Sequence, residues 1–265
     1  MDATTPPDDA ILLRHDAGGV AWLTLNRPAA RNALSVGLIA ALDAALARAA
    51  ADAAVKVVVI AGNGPAFCAG HDLREMRANP GRAAYEALFA ACAALMTRIL
   101  RLPKPVIAQV HGVATAAGCQ LVASCDLAVA ADSARFATPG VNIGLFCSTP
   151  MVALTRAVGR KAAMEMLLTG ELIDAARARE IGLINRVVPA AELDAAVQAL
   201  AARIAAKSPL TLAIGKELFH AQAELPLDDA YRLAAQAMTR NMLARDAAEG
   251  IDAFLHKRAP VWTGT

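Results

Sequence analysis

The segments 55–61, 106–110 and 127–131 are apolar on both faces, and stretches whose apolar residues recur at helical spacing separate them. A strand buried on both sides belongs inside a parallel sheet, because the crossover joining parallel strands lays a helix over the sheet. Ahead of them, residues 11–15 and 20–25 flank Asp16-Ala17-Gly18-Gly19 and predict a hairpin. Ser35 is placed to cap a helix carrying Leu38, Leu42, Leu46 and Ala49 on one face. A longer helix over 83–102 is stopped by Pro103 and Pro105, and a short one covers 116–124. From Ala190 onward only helical patterns remain, over 191–206, 210–223, 228–244 and 246–257. The expected fold is α/β, with a core domain over residues 1–195 and a helical subdomain over 196–265 whose apolar faces serve either subunit contacts or coverage of the core.

Composition narrows the function. Hydrophobic residues make up 57% and charged ones 19%, which describes an ordered chain. The balance of 26 basic against 24 acidic residues, without a basic patch interleaved with aromatics, argues against a nucleic-acid partner. The most apolar stretch, 106–131, is broken by Gln109, His111, Gln120 and Asp126 and reads as buried core, so no membrane partner is expected. The first ten residues carry Asp2, Asp8 and Asp9 and no targeting character, which predicts a cytoplasmic protein. Five cysteines without CxxC pairs read as reduced core residues and offer no metal site.

Two segments place small residues where a strand ends and a helix begins: Phe67-Cys68-Ala69-Gly70-His71-Asp72-Leu73 and His111-Gly112-Val113-Ala114-Thr115-Ala116-Ala117-Gly118-Cys119-Gln120-Leu121. Small residues let a ligand approach the backbone. The unpaired N–H groups and positive end of a helix stabilise a carbonyl oxygen as it becomes an oxyanion.

Together with Asn26-Arg27-Pro28, Asn32-Ala33-Leu34 and Cys125-Asp126, these segments resemble the crotonase (enoyl-CoA hydratase/isomerase) superfamily over nearly the whole chain. The strings 114–126 and 136–150 are most similar to its enoyl-CoA hydratase domain-containing protein 3 group. The resemblance implies a crotonase-type spiral of ββα units with a C-terminal helical trimerisation region, assembled as a trimer or dimer of trimers. It implies no permanently bound cofactor and a coenzyme A thioester as ligand, with the N–H groups of His71 and Ala117 as oxyanion donors. Coenzyme A would lie along Ala30, Arg31 and the loop of Ala69, Gly70, His71 and Asp72, near Arg74, with Phe254 and Lys257 reaching it from a neighbouring subunit.

The resemblance also exposes a departure. Family hydratases hold and split water with two glutamates, at positions that here carry Gln120 and Gly140. An amide orients water but does not trade protons, and glycine has no side chain. The replacements on offer are Gln120, Asn142, Cys147, Ser148 and the His71 imidazole. Asp72 and Asp126 read as caps and loop anchors, and His111 as a hydrogen-bonded core residue beside a turn. Two functions follow: an acyl-CoA lyase or isomerase resting on enolate stabilisation, or a non-catalytic acyl-CoA-binding or sequestering protein.

Overall fold

The computed structural model describes residues 10–265. In chain order its strands are β1 (Leu12–Ala17), β2 (Val20–Leu25), β3 (Val57–Gly62), β4 (Ala66–Cys68), β5 (Val106–Val110), β6 (Val113–Thr115), β7 (Leu127–Ala131), β8 (Arg135–Ala137), β9 (Ile173–Asp174) and β10 (Arg186–Val188). Its helices are α1 (Val36–Ala51), α2 (Leu73–Ala78), α3 (Arg82–Arg101), α4 (Ala117–Ser124), α5 (Ser148–Ala157), α6 (Arg160–Thr169), α7 (Ala175–Glu180), α8 (Leu193–Ala205), α9 (Pro209–Gln222), α10 (Leu227–Met242) and α11 (Arg245–Leu255).

The single expected sheet is two sheets. One has the order β1-β2-β3-β5-β7-β10 and the other β4-β6-β8-β9. Only the pairs β1–β2 and β8–β9 are antiparallel. Each of β3, β5 and β7 lies in the large sheet and passes directly to β4, β6 or β8 in the small one before a helix follows, which is the ββα spiral. The hairpin is tighter than its four-residue signal: β1 runs through Ala17 and the turn is Gly18-Gly19, both with positive φ.

Alternation along β3 shows how the large sheet is buried. Val58 and Ile60 enter a core shared with Leu38, Leu42 and Leu46 of α1 and Leu95 and Ile99 of α3. Val57 and Val59 face the other way, onto Leu193, Val197 and Leu200 of α8. Helix α8 contains the expected boundary at 195/196, yet its apolar face covers the sheet. Helix α3 is long and apolar enough in composition to cross a membrane; here it buries Leu88, Cys92, Leu95, Met96 and Ile99. Ser35 caps α1 by accepting from the Leu38 N–H at 3.1 Å.

The tail helices α9, α10 and α11 pack on one another and leave apolar side chains uncovered, with Leu243 83% and Phe254 82% exposed. One buried ion pair docks α9 on the core. The Lys216 ammonium, 8% exposed, donates to Asp126 Oδ2 (2.5 Å), Ile99 O (2.8 Å) and Lys104 O (3.1 Å). Asp126 Oδ2 also accepts the Val106 N–H at 2.7 Å. Burial pushes Asp126 up and Lys216 down from their ordinary pKa values, each against the pull of its partner.

Candidate functional site

The two small-residue loops lie against each other. A Cβ built on Gly118 would stand 2.0 Å from the Cys68 carbonyl oxygen, so α4 starts in direct contact with the end of β4. Gly70, at φ 95°, approaches closely enough that its Cβ would meet the Ala116 Cβ at 2.8 Å and the Ala117 nitrogen at 3.3 Å. Thr115 Oγ1 donates to Ala69 O (3.2 Å), Ala69 N donates to Arg31 O (3.0 Å), and Leu34 N donates to Gly70 O (2.7 Å). The loop carrying His71 is thus held on one side by residues 31–34 and on the other by the start of α4.

Within this clamp the N–H groups of His71 and Ala117 donate to no acceptor among the described residues, while the flanking N–H groups of Ala116 and Asp72 are bonded to Ala137 O and Leu34 O. Ala117 is the first residue of α4, where an N–H has no partner within the helix. The expected helix start at 116 is one residue early. Ala116 sits outside the helix at φ 50°, ψ −119°, a conformation that only glycine adopts without strain. That strain turns the chain so that the Ala117 N–H is left clear.

The ring of His71 meets the Phe89 ring edge-to-face at 5.5 Å, and its Nε2 is buried without a hydrogen-bond partner. Burial lowers its pKa, which keeps the imidazole neutral at pH 7. Gln120 is 4% exposed and its Oε1 is likewise unpartnered. Gly140 is buried, and a Cβ there would lie 2.8 Å from Leu145 O and 2.9 Å from Cys147 Sγ, so the Leu145 carbonyl and the Cys147 thiol together fill the space a side chain at 140 would need. Burial raises the Cys147 pKa, leaving a thiol in place of a thiolate nucleophile. Ser148 is exposed and its hydroxyl donates to Phe146 O at 3.3 Å.

The remaining candidates divide by element. Ala30 ends a 3-10 turn over Pro28–Ala30, and Arg31, which follows and caps it, takes φ 50°. Asp72 caps α2 through the Arg74 and Glu75 N–H groups and pairs with Arg27 at 2.9 Å, which holds its carboxyl below the usual range. Arg27 also donates to Ala33 O, tying residues 27–33 to the His71 loop. The Arg74 side chain is exposed and makes no ion pair among the described residues. Phe254 and Lys257 sit at the exposed end of the tail, on α11 and just past it. His111 Nε2 lies 2.8 Å from Gly64 O, the hydrogen bond expected of it, but the residue is half-buried and not in the core. Among the described residues no cluster of three or more His, Cys, Asp or Glu side chains offers a metal site.

Sequence reasoning missed three residues here: Phe89, which positions the His71 ring, Arg27, and Thr138, which is fully buried with an unpartnered Oγ1. Arg27 and Thr138 stood in quoted motifs without being singled out, and Phe89 stood in none.

The family described as enoyl-CoA hydratase/isomerase matches residues 15–265. The rat enoyl-CoA hydratase domain-containing protein 3, mitochondrial, is 48% identical over 92% of this chain and 82% of its own length. A crystal structure of an enoyl-CoA hydratase of Mycobacterium smegmatis superposes with a TM-score of 0.94 at 55% identity, covering 96% of this chain and 99% of that one. The human enoyl-CoA hydratase domain-containing protein 3 superposes with a TM-score of 0.93 at 47% identity, covering 96% and 100%. The rat protein and its frog, mouse and human counterparts are all named mitochondrial, which overturns the cytoplasmic expectation drawn from the first ten residues.

Proposed function

Because the chain belongs to the enoyl-CoA hydratase/isomerase family, we propose that it binds an acyl-CoA thioester and polarises its carbonyl between the N–H groups of His71 and Ala117. The observation that supports this most is the pair of unbonded N–H groups, held by the Gly70–Ala117 contact and by the strained Ala116. Donors fixed in advance at a buried turn stabilise developing negative charge without reorganising. Coenzyme A would run along Ala30, Arg31 and the 69–72 loop, with Arg74 facing its phosphates. Phe254 and Lys257 would reach it from a neighbouring copy in a trimer or dimer of trimers, an assembly favoured by the uncovered faces of α9, α10 and α11. The compartment in the relatives' names points to the mitochondrion.

Hydration by this site is slow. Neither Gln120, Gly140, Ser148 nor Cys147 is an acid or base matched to neutral pH, which leaves the neutral His71 imidazole as the one titratable candidate in place of two carboxylates, and each positioned acid or base contributes roughly 10²–10⁴-fold in rate. A non-catalytic acyl-CoA-binding role is the second reading, and the thiol packed into the space at Gly140 favours it. Crotonyl-CoA hydration tests both. Gln120→Glu, which restores one carboxylate without placing a side chain at 140, should raise the wild-type rate by roughly 10²–10⁴-fold; fast wild-type hydration would contradict the proposal.

A further inference from the structure

A cavity of about 520 Å³ opens across the large sheet from the two small-residue loops. Trp22 and Thr24 of β2, Ala61 of β3 and Gln109 of β5 line it. By strand alternation they continue the face that carries Val57, Val59 and Ile107. Helix α8 covers that face with Leu193, Val197 and Leu200, and the cavity lies past this cover, at the ends of β3 and β5, with Asp194 and Gln198 as its wall. Cys68 and Ala117 belong to the core on the other face, so the proposed thioester site makes no use of this space.

Three of the lining side chains are turned by bonds to the protein so that an acceptor is left over. Gln109 donates its amide nitrogen to Asp194 Oδ1 at 2.6 Å. A carboxylate only accepts, so this amide cannot be flipped, and Gln109 Oε1 is left buried without a partner. Asn26 gives its own amide nitrogen to Ala10 O (2.8 Å) and so turns its oxygen to Asn63 Nδ2 (3.0 Å), which leaves Asn63 Oδ1 accepting from no described residue. His111 meets Gly64 O through Nε2 at 2.8 Å; a carbonyl cannot donate, so Nε2 carries the hydrogen and Nδ1 of the neutral ring accepts. Asp194 adds a carboxylate, and no Lys or Arg is among the lining residues to neutralise it. Fixed acceptors around an unpaired carboxylate call for a ligand that donates and is positive. An anion would meet Asp194 and no cation, and a polyol would bring an acceptor with every donor. A guanidinium is planar and charged, carries N–H donors around its edge and no acceptor, and is drawn to aromatic rings such as that of Trp22. We propose that this cavity is a second binding site, one that takes a guanidinium group, with Gln109, Asn63 and Asp194 as its recognising residues. The group belongs either to a free alkylguanidine or to an arginine side chain presented by another polypeptide.

Calorimetric titration of the full chain with 4-aminobutylguanidine, 1,4-diaminobutane and 4-aminobutylurea tests it, since the three share a tail and end in a guanidinium, an ammonium and a neutral urea. The guanidine should bind at least about tenfold more tightly than either of the others, because charged N–H···O bonds are stronger than neutral ones and only the planar cation makes several at once. Asp194→Asn, which changes an exposed residue, and Gln109→Met should each weaken the guanidine by about tenfold or more. Both variants should melt close to wild type and keep its affinity for butanoyl-CoA, which the proposed thioester site binds on the other side of the sheet. Acetylated glycyl-arginyl-glycine amide separates the two sources: affinity equal to that of the free guanidine assigns the cavity to an arginine side chain, and weaker affinity assigns it to a small molecule. Equal binding of the guanidine and the urea would overturn the assignment. So would no binding of the guanidine at millimolar concentration, or undiminished binding by Asp194→Asn.

Discussion

Ala116 carries a methyl group in a backbone conformation that disfavours one, and its place beside the Ala117 N–H explains why the fold tolerates it. Strain of this kind costs of order 1–3 kcal/mol and clusters at functional turns. Ala116→Gly should therefore raise stability by about 1 kcal/mol after the loss of glycine's conformational entropy on folding, read as a higher denaturant midpoint at unchanged m-value. A lower midpoint would mean that the methyl's packing outweighs the strain. His71 makes a pH prediction. Burial puts its folded pKa below the ordinary 6.5, so between those values the unfolded chain binds more protons than the folded one. Stability is then complete above pH 6.5 and falls as pH drops below it. His71→Phe, which keeps the aromatic contact with Phe89, should flatten that acid limb in melts taken from pH 7.5 to 5; an unchanged slope would assign the loss to His220, whose pKa is lowered in the same way.

At the scale of elements, α9 shows what the amphipathic pattern left out. Lys216 lies mid-helix among apolar neighbours, and its partner Asp126 is 90 residues away, so spacing along the chain gave no hint of the pair. Breaking a buried ion pair by removing one partner typically costs about 3–5 kcal/mol, because the other charge is left buried alone. Lys216→Met should cost that much in urea unfolding and loosen α9 in hydrogen exchange ahead of the sheet. The same physics explains which strands were legible. Strands β2, β5 and β7 carry five or six residues of pattern, and the reading placed each at its observed ends. Strands β4, β6 and β8 have three residues each and exist because distant segments pair, so they read as loop. The site was legible as two small-residue motifs. Its strained turn, the thiol filling the space at Gly140 and the buried Thr138 were not, since each depends on a contact between segments far apart in sequence.

For the whole molecule, the tail exposes Phe219, Tyr231, Leu243 and Phe254 at 67%, 71%, 83% and 82%. Apolar side chains left this uncovered are what the proposed subunit interface would bury. Light scattering should give a trimer or a multiple of it, and Leu243→Asp should shift the mass downward; a monodisperse wild-type monomer would contradict the assembly and the route by which Phe254 and Lys257 would meet coenzyme A. The central claim concerns the thioester carbonyl, and isotope-edited infrared spectroscopy of a bound acyl-CoA labelled at that carbonyl tests it most directly. Two converging N–H donors should move the C=O stretch well below its frequency in water. A stretch at or above the aqueous frequency, with the ligand bound, would show that His71 and Ala117 do not polarise it.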